Sequence, residues 1–236
     1  MIHFLIYNGE SSANYGLLVG GQKSYDLPKR DVTKYSITGR NGDLIKDNGR
    51  FENIKLDYTL VCKNDFEAFA DAISAWLKQP TEYCRLEDSH HPEYYRMALV
   101  TDSISYDTGT WNRSAKATVS FDCKPEKYLF SGEWKEKFST TGEIFNPTRF
   151  PSKPLIRVYG TGAGKLTIGA YTIDISAINE YIDIDSDIMD CYKGNDNCNA
   201  AVTLAKGFPV LAAGKTAVSF NGAITAVEIQ GRWWTI

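Results

Sequence analysis

The strand pattern that decides the fold is clearest in LIRVYGTGAGKLTIGAYTIDISAINEYIDIDSDIM, residues 155–189. Apolar and polar residues alternate through most of this stretch, and a period of two is typical of half-buried β-strands. The same pattern returns in KTAVSF and AITAVEIQGRWWTI, after short segments that favour turns. This spacing predicts a purely β second half of the chain, built as a sandwich.

One glycine-rich segment, GTGAGKLT (residues 160–167), has the composition of a phosphate-binding loop. A Walker loop has four residues between its glycines, and Ser or Thr directly after its lysine. Here three residues separate Gly160 from Gly164, and Leu166 follows Lys165. Because the next residues alternate as a strand and open no helix, we predict a tight hairpin at these glycines and no nucleotide site.

The acidic segment IDIDSDIMD (residues 182–190) places aspartates at alternate positions, as at the start of an EF-hand calcium loop. Two positions disagree with such a loop. Ile188 stands where glycine is required, and Gly194 stands where a bidentate glutamate is required. The flanking residues alternate as strands. We therefore predict a solvated acidic strand face, which can repel neighbours or meet a basic partner.

The first half of the chain combines short alternating runs with one helical pattern. We predict a helix over about residues 65–78, with Asn64 as its N-cap, Glu67 completing a capping box and Pro80 ending it. One face of this helix carries an apolar stripe, which predicts that the helix packs across a sheet; docking of a partner is the alternative. Its apolar members recur at helical spacing: Phe66, Phe69, Ala70, Ile73, Trp76 and Leu77.

Two later runs, YYRMALVTDSISYD (residues 94–107) and AKATVSFDCKP (residues 115–125), flank a turn-prone segment and predict a long β-hairpin. The residues that follow mix Gly, Pro, Ser and Thr without a sustained period, which is typical of a domain boundary. We place this boundary near residue 133, with a first domain over residues 1–133 and a second over residues 134–236.

The charge balance argues against nucleic-acid binding. The chain has 26 Lys and Arg against 29 Asp and Glu, a net charge of −3, so it carries no basic field for gripping phosphates. The N-terminal apolar run HFLIY is far too short to span a bilayer and has no basic leader. We expect neither a secretion signal nor a membrane anchor.

Few residues offer catalytic or metal chemistry. The five cysteines form no CxxC pair, which predicts reduced thiols and neither a disulfide framework nor a zinc ribbon. His3, His90 and His91 are the only histidines, so the second domain cannot hold a Ser-His-Asp site. The pair at 90 and 91 lies in a polar stretch and predicts an exposed loop. We assign no catalytic residue, cofactor or metal.

One segment of the first domain, ITGRNGDLIKDNGRFENIKLDY (residues 37–58), has two glycine turns before an aromatic-led strand. It resembles the distal tail proteins of long-tailed phages (siphophages) that infect Gram-positive hosts. Similar segments follow in the same order and span nearly the whole chain: Tyr95-x-x-Ala98, VSFDCKPEKY (119–128), RFPSKPLIRVYGTG (149–162), IDIDSD (182–187), FPVLAAGKTAVSF (208–220) and GRWWTI (231–236).

This resemblance implies a mainly β chain: an N-terminal tail-tube-like β-sandwich or split barrel with one helix, and a C-terminal galectin-like β-sandwich. It implies a structural virion protein made in the bacterial host cytoplasm and placed at the tail tip. Its N-terminal domains would form a hexameric ring that continues the tail tube and lets DNA pass. The implied partners are the chain itself, the tail tube protein, a tail-associated hub or fibre protein, and receptor-binding or baseplate proteins.

Galectin-like architecture also raises an alternative function, a carbohydrate-binding tail module that contacts the host cell wall. Galectin sugar binding uses histidine and arginine donors beside a stacking tryptophan, and no histidine follows His91. A tail-associated hydrolase is the enzymatic alternative, yet no nucleophile, metal or acid–base pair is marked by its spacing.

The segment TGRNGDLIKDNGR (residues 38–50) is the candidate ring or tube interface. It mixes both charge signs with turn glycines and has little that can enter a core. An ordinary exposed hairpin turn is the alternative. The candidate interface residues are Arg40, Asn41, Asp43, Lys46, Asp47 and Arg50.

Overall fold

The computed structural model describes residues 3–21, 25–63, 65–109 and 113–236. The chain divides into two compact units, the first ending at Lys127 and the second spanning Tyr128–Thr235. This division comes a few residues before the boundary expected near residue 133. The reason is local pairing: the amide of Leu129 donates to the carbonyl of Trp233 at 2.9 Å, which ties this segment to the end of the chain.

The described residues of the first unit form ten strands, one α-helix and a 3₁₀ turn at Ser12–Tyr15. Its elements are β1 (Leu5–Tyr7), β2 (Glu10–Ser11), β3 (Leu17–Gly20), β4 (Arg30–Tyr35), β5 (Leu44–Phe51), β6 (Ile54–Cys62), α1 (Phe66–Lys78), β7 (Cys84–Asp88), β8 (Tyr94–Leu99), β9 (Asp107–Gly109) and β10 (Ser114–Cys123).

The main sheet of this unit has the strand order β2-β1-β7-β8-β10-β6-β3, with β9 paired to the start of β10. A bridge between His3 and Val19 links the regions of β1 and β3, so the sheet curls toward a half-barrel. Strands β4 and β5 pair with each other and form a separate two-stranded sheet. The hairpin expected from residues 94–125 is shorter than predicted, because β8 meets β10 only near Leu99, while most of β10 pairs with β6.

Helix α1 lies where the apolar spacing predicts it. Ile73 and Leu77 are fully buried, and each contributes about 2 kcal/mol of apolar burial. Trp76 is buried too, and its indole nitrogen donates to the carbonyl of Tyr7 at 3.0 Å. The predicted cap Asn64 lies outside the described residues. Asp65 occupies the N-cap position with a left-handed φ of 60° and makes no capping bond through its side chain.

The second unit is built almost entirely of strands, with 3₁₀ turns at Phe130–Glu133 and Asn199–Ala201. Its strands are β11 (Lys127–Leu129), β12 (Lys135–Phe138), β13 (Gly142–Asn146), β14 (Leu155–Ile168), β15 (Tyr171–Asp185), β16 (Asp190–Lys193), β17 (Asp196–Asn197), β18 (Val202–Leu204), β19 (Gly214–Gln230) and β20 (Trp234–Thr235).

The long strands β14, β15 and β19 form the centre of an eight-stranded sheet with the order β12-β19-β14-β15-β16-β17. Strand β13 also pairs with β19, and β18 pairs with β15. Alternate residues of the long strands, such as Ile156, Val158 and Ile184, are completely buried in the core of this unit. The prediction of a mainly β chain with one helix is confirmed.

The glycine segment at 160–167 is not the predicted hairpin. It lies inside the continuous strand β14, where a bulge shifts the register between Gly162 and Gly164. A Cβ added to Gly160 would lie 2.2 Å from the carbonyl oxygen of Ala223 on β19, so these glycines permit close approach of two strands. The turn itself comes later, at Gly169, which has a φ of 53°.

Helix α1 has 13 residues, and within the described ranges no helix is long and apolar enough to cross a membrane.

Candidate assembly surfaces

The predicted interface residues lie on an exposed hairpin of the first unit, formed by β4 and β5 (residues 30–51), which we call the arm. Every residue from 34 to 50 is exposed. Arg40 and Asn41 lie in the loop between the strands, and Asp43 directly precedes β5. Lys46, Asp47 and Arg50 lie on β5 itself.

Two of these predicted residues form ion pairs within the arm. Asp47 accepts from Arg30 across the hairpin at 2.6 Å, and Asp31 accepts from the Nε of Arg50 at 2.6 Å. Hydrogen bonds from Asn48 and Arg50 lower the pKa of Asp31. The amide of Gly49 and then Arg30 lower the pKa of Asp47.

The other charged candidates remain available for contact. Within the described ranges, the side chains of Arg40, Asp43 and Lys46 form no ion pair. The arm therefore uses part of its charge to hold its own two strands together and presents the rest to solvent.

The arm has an apolar end that was not predicted from the sequence. Tyr35, Ile37, Leu44 and Ile45 are all exposed, and Ile45 is 61% exposed. Two adjacent aliphatic residues beside a glycine turn were the available signal. We call residues 35–45 the tip of the arm.

A second feature of the first unit is a cavity of about 330 Å³ beside the start of the arm, which we call the tyrosine cavity. Its rim carries Tyr25 and Leu27, whose side chains are 77% and 70% exposed. Its wall combines apolar and aromatic side chains: Val19, Leu56, Tyr58, Leu86, Tyr94 and Tyr95.

The polar part of this cavity is organised around Asp88 at the end of β7. Its carboxylate accepts hydrogen bonds from Tyr58 Oη at 3.0 Å and from the His90 amide at 2.7 Å, and it lies 3.2 Å from His91 Nδ1. Burial, and then the charge of Asp88, raise the pKa of Tyr58. Tyr58 therefore remains a neutral donor and fixes the cavity wall.

Arg96 contributes a cation to the same cavity. Burial lowers the pKa of its guanidinium group. Its Nη1 donates to the carbonyl of Pro125 at 3.3 Å, and within the described part of the chain it makes no ion pair. The charges of Cys123, Tyr58, Asp26 and Glu126 act in the opposite direction and raise this pKa, so the first unit already supplies acidic groups near the guanidinium.

All three histidines lie at this end of the first unit. The rings of His3 and His90 stack with centroids 3.8 Å apart, and His3 Nδ1 lies 3.1 Å from the hydroxyl of Ser89. His90 and His91 lie in a turn between strands, as predicted, but they are half-buried and not exposed. Their contacts hold the β7–β8 turn against the start of the chain.

The second unit presents an open groove of about 410 Å³ beside its 3₁₀ turn at Phe130–Glu133. Trp134 and Phe145 line it and are 74% and 58% exposed. Trp233 is buried beneath it, whereas Trp234 stacks on Phe150 with centroids 4.6 Å apart. Trp134 was not singled out from the sequence.

The acidic strand in the second unit is not a solvated face, which corrects the prediction. Asp183 and Asp185 are only 3% and 4% exposed. Arg157 donates twice to Asp183 at 2.7 Å, and Arg232 donates twice to Asp185 at 2.6 and 2.8 Å. These arginines occupy the carboxylate oxygens that a calcium ion would need, and the described residues form no cluster suited to a metal.

A curled sheet with one helix and an exposed hairpin, followed by a unit of long strands, is a fold that this chain shares with a solved phage hub protein. One solved structure with this fold is SPP1 Dit, described as a paradigm of the hub adsorption apparatus in Gram-positive infecting phages. It matches with a TM-score of 0.76 and 14% identity over 100% of both chains. The fold-level resemblance expected from the sequence is confirmed.

A chain in the structure of the phage P2 baseplate, in its activated conformation with Ca, matches with a TM-score of 0.53 and 10% identity over 97% of both chains. No protein-family model matches this chain, and neither does any curated protein.

Proposed function

We propose that this chain is a structural virion protein that forms a hexameric hub at the distal end of a phage tail. The observation that carries the proposal is the fold match to SPP1 Dit over the full length of both chains. In this proposal residues 1–133 form the tube-like ring domain, and residues 134–236 form the outer galectin-like domain. The hub joins the tail tube protein to a tail-associated hub or fibre protein and to receptor-binding or baseplate proteins.

The arm supports a role in assembly. A two-stranded hairpin is marginally stable by itself in water, and this one presents unpaired charges and exposed apolar side chains. We assign Arg40, Asn41, Asp43, Lys46, Asp47 and Arg50 to the contact with a neighbouring subunit or with the tail tube. The role is structural, and we assign no catalytic chemistry to the chain.

The experiment that tests the hub is imaging of phage particles that carry a tagged copy of this chain. We expect the tag at the tail tip with sixfold symmetry. Six copies of the 26.4 kDa chain amount to about 158 kDa. A different symmetry, or a tag elsewhere in the particle, would refute the hexameric hub.

The charge of the proposed ring domain is compatible with DNA in transit. Residues 1–133 carry 16 Lys and Arg against 19 Asp and Glu, whereas residues 134–236 carry 10 of each. A basic lumen would hold DNA by releasing counterions from the duplex, while a neutral or acidic lumen lets it pass. We expect the purified protein to leave duplex DNA unshifted in a gel at physiological salt, and tight binding would contradict this part of the proposal.

One observation favours a second function, binding of cell-wall carbohydrate by the second unit. Trp134 presents an open aromatic face beside the groove that Phe145 also lines. The apolar faces of sugar rings pack on such side chains, with polar neighbours supplying hydrogen bonds.

Co-sedimentation with purified host cell wall tests this function. We expect Trp134→Ala to reduce the bound fraction, while Ile188→Ala, at an exposed apolar site outside the groove, leaves it unchanged. Equal binding by both variants, or no binding by the wild type, would remove this function.

A further inference from the structure

Two cysteines of the second unit face each other across the hairpin that β16 and β17 form. These strands pair with Tyr192 opposite Asn197. One step further from the turn, the same register sets Cys191 opposite Cys198. The amide of Cys198 donates to the carbonyl of Cys191 at 2.7 Å, so the two residues are direct neighbours.

The two side chains lie on the same face of the hairpin, as opposite residues of antiparallel strands do. Cys191 is 1% exposed, and Cys198 is half-buried against the same hydrophobic core. The Cα atoms of a hydrogen-bonded antiparallel pair are about 5.5 Å apart, a separation that a disulfide can span. The pair also lies where the ladder ends, because the amide of Cys191 donates to Oδ1 of Asn199 at 2.8 Å.

The other cysteines face residues that cannot form a disulfide. All five cysteines lie within the described residues, and none of them is in a disulfide. The register therefore singles out one pair. The remaining cysteines have these cross-strand neighbours: Ala115 and Leu17 for Cys62, Ala98 for Cys84, and Ala98 and Ile54 for Cys123.

We propose that Cys191 and Cys198 form a reversible disulfide that closes the hairpin of β16 and β17 under oxidising conditions. Strand β17 has two residues and both are exposed, so this hairpin has little packing of its own at the edge of the sheet. A covalent link between its strands restricts the unfolded chain and thereby stabilises the closed hairpin.

Glutathione disulfide is an oxidant of the required class. The thiolate of Cys198, the more exposed of the two, attacks one sulfur of glutathione disulfide, breaks its S–S bond and releases one glutathione thiolate. Cys191 then loses its proton and attacks the Cys198 sulfur of the mixed disulfide, which releases the second glutathione thiolate. Two protein thiols are oxidised, one disulfide is reduced, and the two released thiolates take up the two protons.

The surroundings of Cys191 make the second step the slow one. Burial, and then the charges of Asp190 and Cys198, raise the pKa of the Cys191 thiol to about 12. Only a small fraction is therefore thiolate near neutral pH, and the thiolate is the attacking form. In one respect the inference rests on the proposed function: a virion protein made in a reducing cytoplasm would assemble as the dithiol and close this bond after release.

The test exposes the full-length chain to glutathione disulfide at mildly alkaline pH and measures its intact mass, its linked peptides and its thermal midpoint. The blocking variant is Cys198→Ser, at a half-buried position. The matched control is Cys84→Ser, which removes a half-buried cysteine that faces Ala98 in the first unit. Circular dichroism verifies that each variant is folded.

We expect the wild type and the control to lose two hydrogen atoms and to yield a peptide that links Cys191 to Cys198. The thermal midpoint of the second unit should rise by about 5 °C on oxidation. A reducing agent should reverse both changes. The blocking variant should show neither the link nor the rise.

Three results would overturn the inference. The first is the absence of a link after prolonged exposure, with or without glutathione attached to Cys198. The second is a link between other cysteines or between two chains. The third, a bond that leaves the midpoint unchanged, would remove its role in fastening the hairpin. Imaging of particles decides the hub separately, and failure of the hub would remove only the timing of the bond after release.

Discussion

Arginine–aspartate pairs occur in both the arm and the second unit, in opposite surroundings. On the arm, Arg30 and Asp47 meet at 2.6 Å with about half of each side chain exposed to water. In the second unit, Arg232 and Asp185 also meet at 2.6 Å, but the aspartate side chain is only 6% exposed. Equal distances therefore do not imply equal contributions to stability.

Burial determines how much each ion pair contributes to stability. Water screens an exposed pair, and ordering two long side chains offsets most of the remaining attraction. A buried carboxylate has lost its water, so it depends on both of its arginine hydrogen bonds. The arm is consequently organised by local contacts without being anchored in a core, as suits a surface that a partner completes. The second unit is a fixed scaffold.

The largest expected effect comes from removing the buried carboxylate. In Asp185→Ala, Arg232 would lose both of its charged hydrogen bonds, and the amides of Asp187 and Ile188 would lose their acceptor. We expect a loss of about 3 kcal/mol of unfolding free energy, because a half-buried cation is left without its partner. Calorimetry of the full chain measures it.

The matched control for that change is Asp47→Ala, which removes an aspartate that pairs with an arginine at the same distance on the arm. It should leave the thermal midpoint of the second unit unchanged. Similar losses in the two variants would show that burial is not what distinguishes the two regions.

A somewhat smaller effect is expected at the strand crossing in the second unit. In Gly160→Ala the new Cβ would lie 2.2 Å from the carbonyl oxygen of Ala223, so β14 and β19 must separate locally. We expect about 2 kcal/mol of destabilisation, as for other overpacked interiors. Gly194→Ala is the control, since a Cβ there meets nothing within 4 Å, although its φ of 60° carries a modest strain of its own. Equal destabilisation in the two variants would mean that the effect comes from replacing glycine in the backbone and not from separating β14 and β19.

Much of the fold could be predicted from the sequence because its signals are local. Alternation over residues 155–189 and helical spacing over residues 66–77 reflect the periods of strand and helix themselves. The partner of an aspartate is not a local property. Arg157 reaches Asp183 because the register of β14 on β15 sets them directly opposite, 26 residues apart in the chain.

The arm and the tyrosine cavity show the same limit. The exposed hairpin was predictable from its turn glycines and mixed charge, since both features are local to residues 38–50. The tyrosine cavity was not, because its walls come from strands that lie far apart in the chain and become neighbours only in the curled sheet.

Acid should weaken the second unit through Asp185. Burial opposes ionisation of this group, but hydrogen bonds from Arg232 and from the Asp187 amide prevail and lower its pKa below the ordinary 3.8. A lowered folded-state pKa gives stability that is present above pH 3.8 and is lost as the pH falls through the folded value.

Thermal midpoints at pH 6 and pH 3 measure this loss. The midpoint of the wild type should fall further between these two values than that of Asp185→Asn, which cannot ionise. An equal fall in both proteins would assign the acid sensitivity to other carboxylates.

The smallest effect on stability is expected on the arm. Arg40→Glu combined with Arg50→Glu reverses two exposed charges, one without an ion pair within the described ranges and one paired with Asp31. Because these side chains are surrounded by water, calorimetry should show an unchanged thermal midpoint. Assembly should nevertheless be impaired, because the reversal changes the charge that the arm presents to its neighbour. The control is Arg149→Glu with Lys206→Glu, which makes the same change of charge on exposed residues of the second unit. A lowered thermal midpoint would mean that the arm is part of the folded scaffold. Normal assembly would exclude these two arginines from the contact. Either result would contradict the distinction between a fixed second unit and an arm that a partner completes.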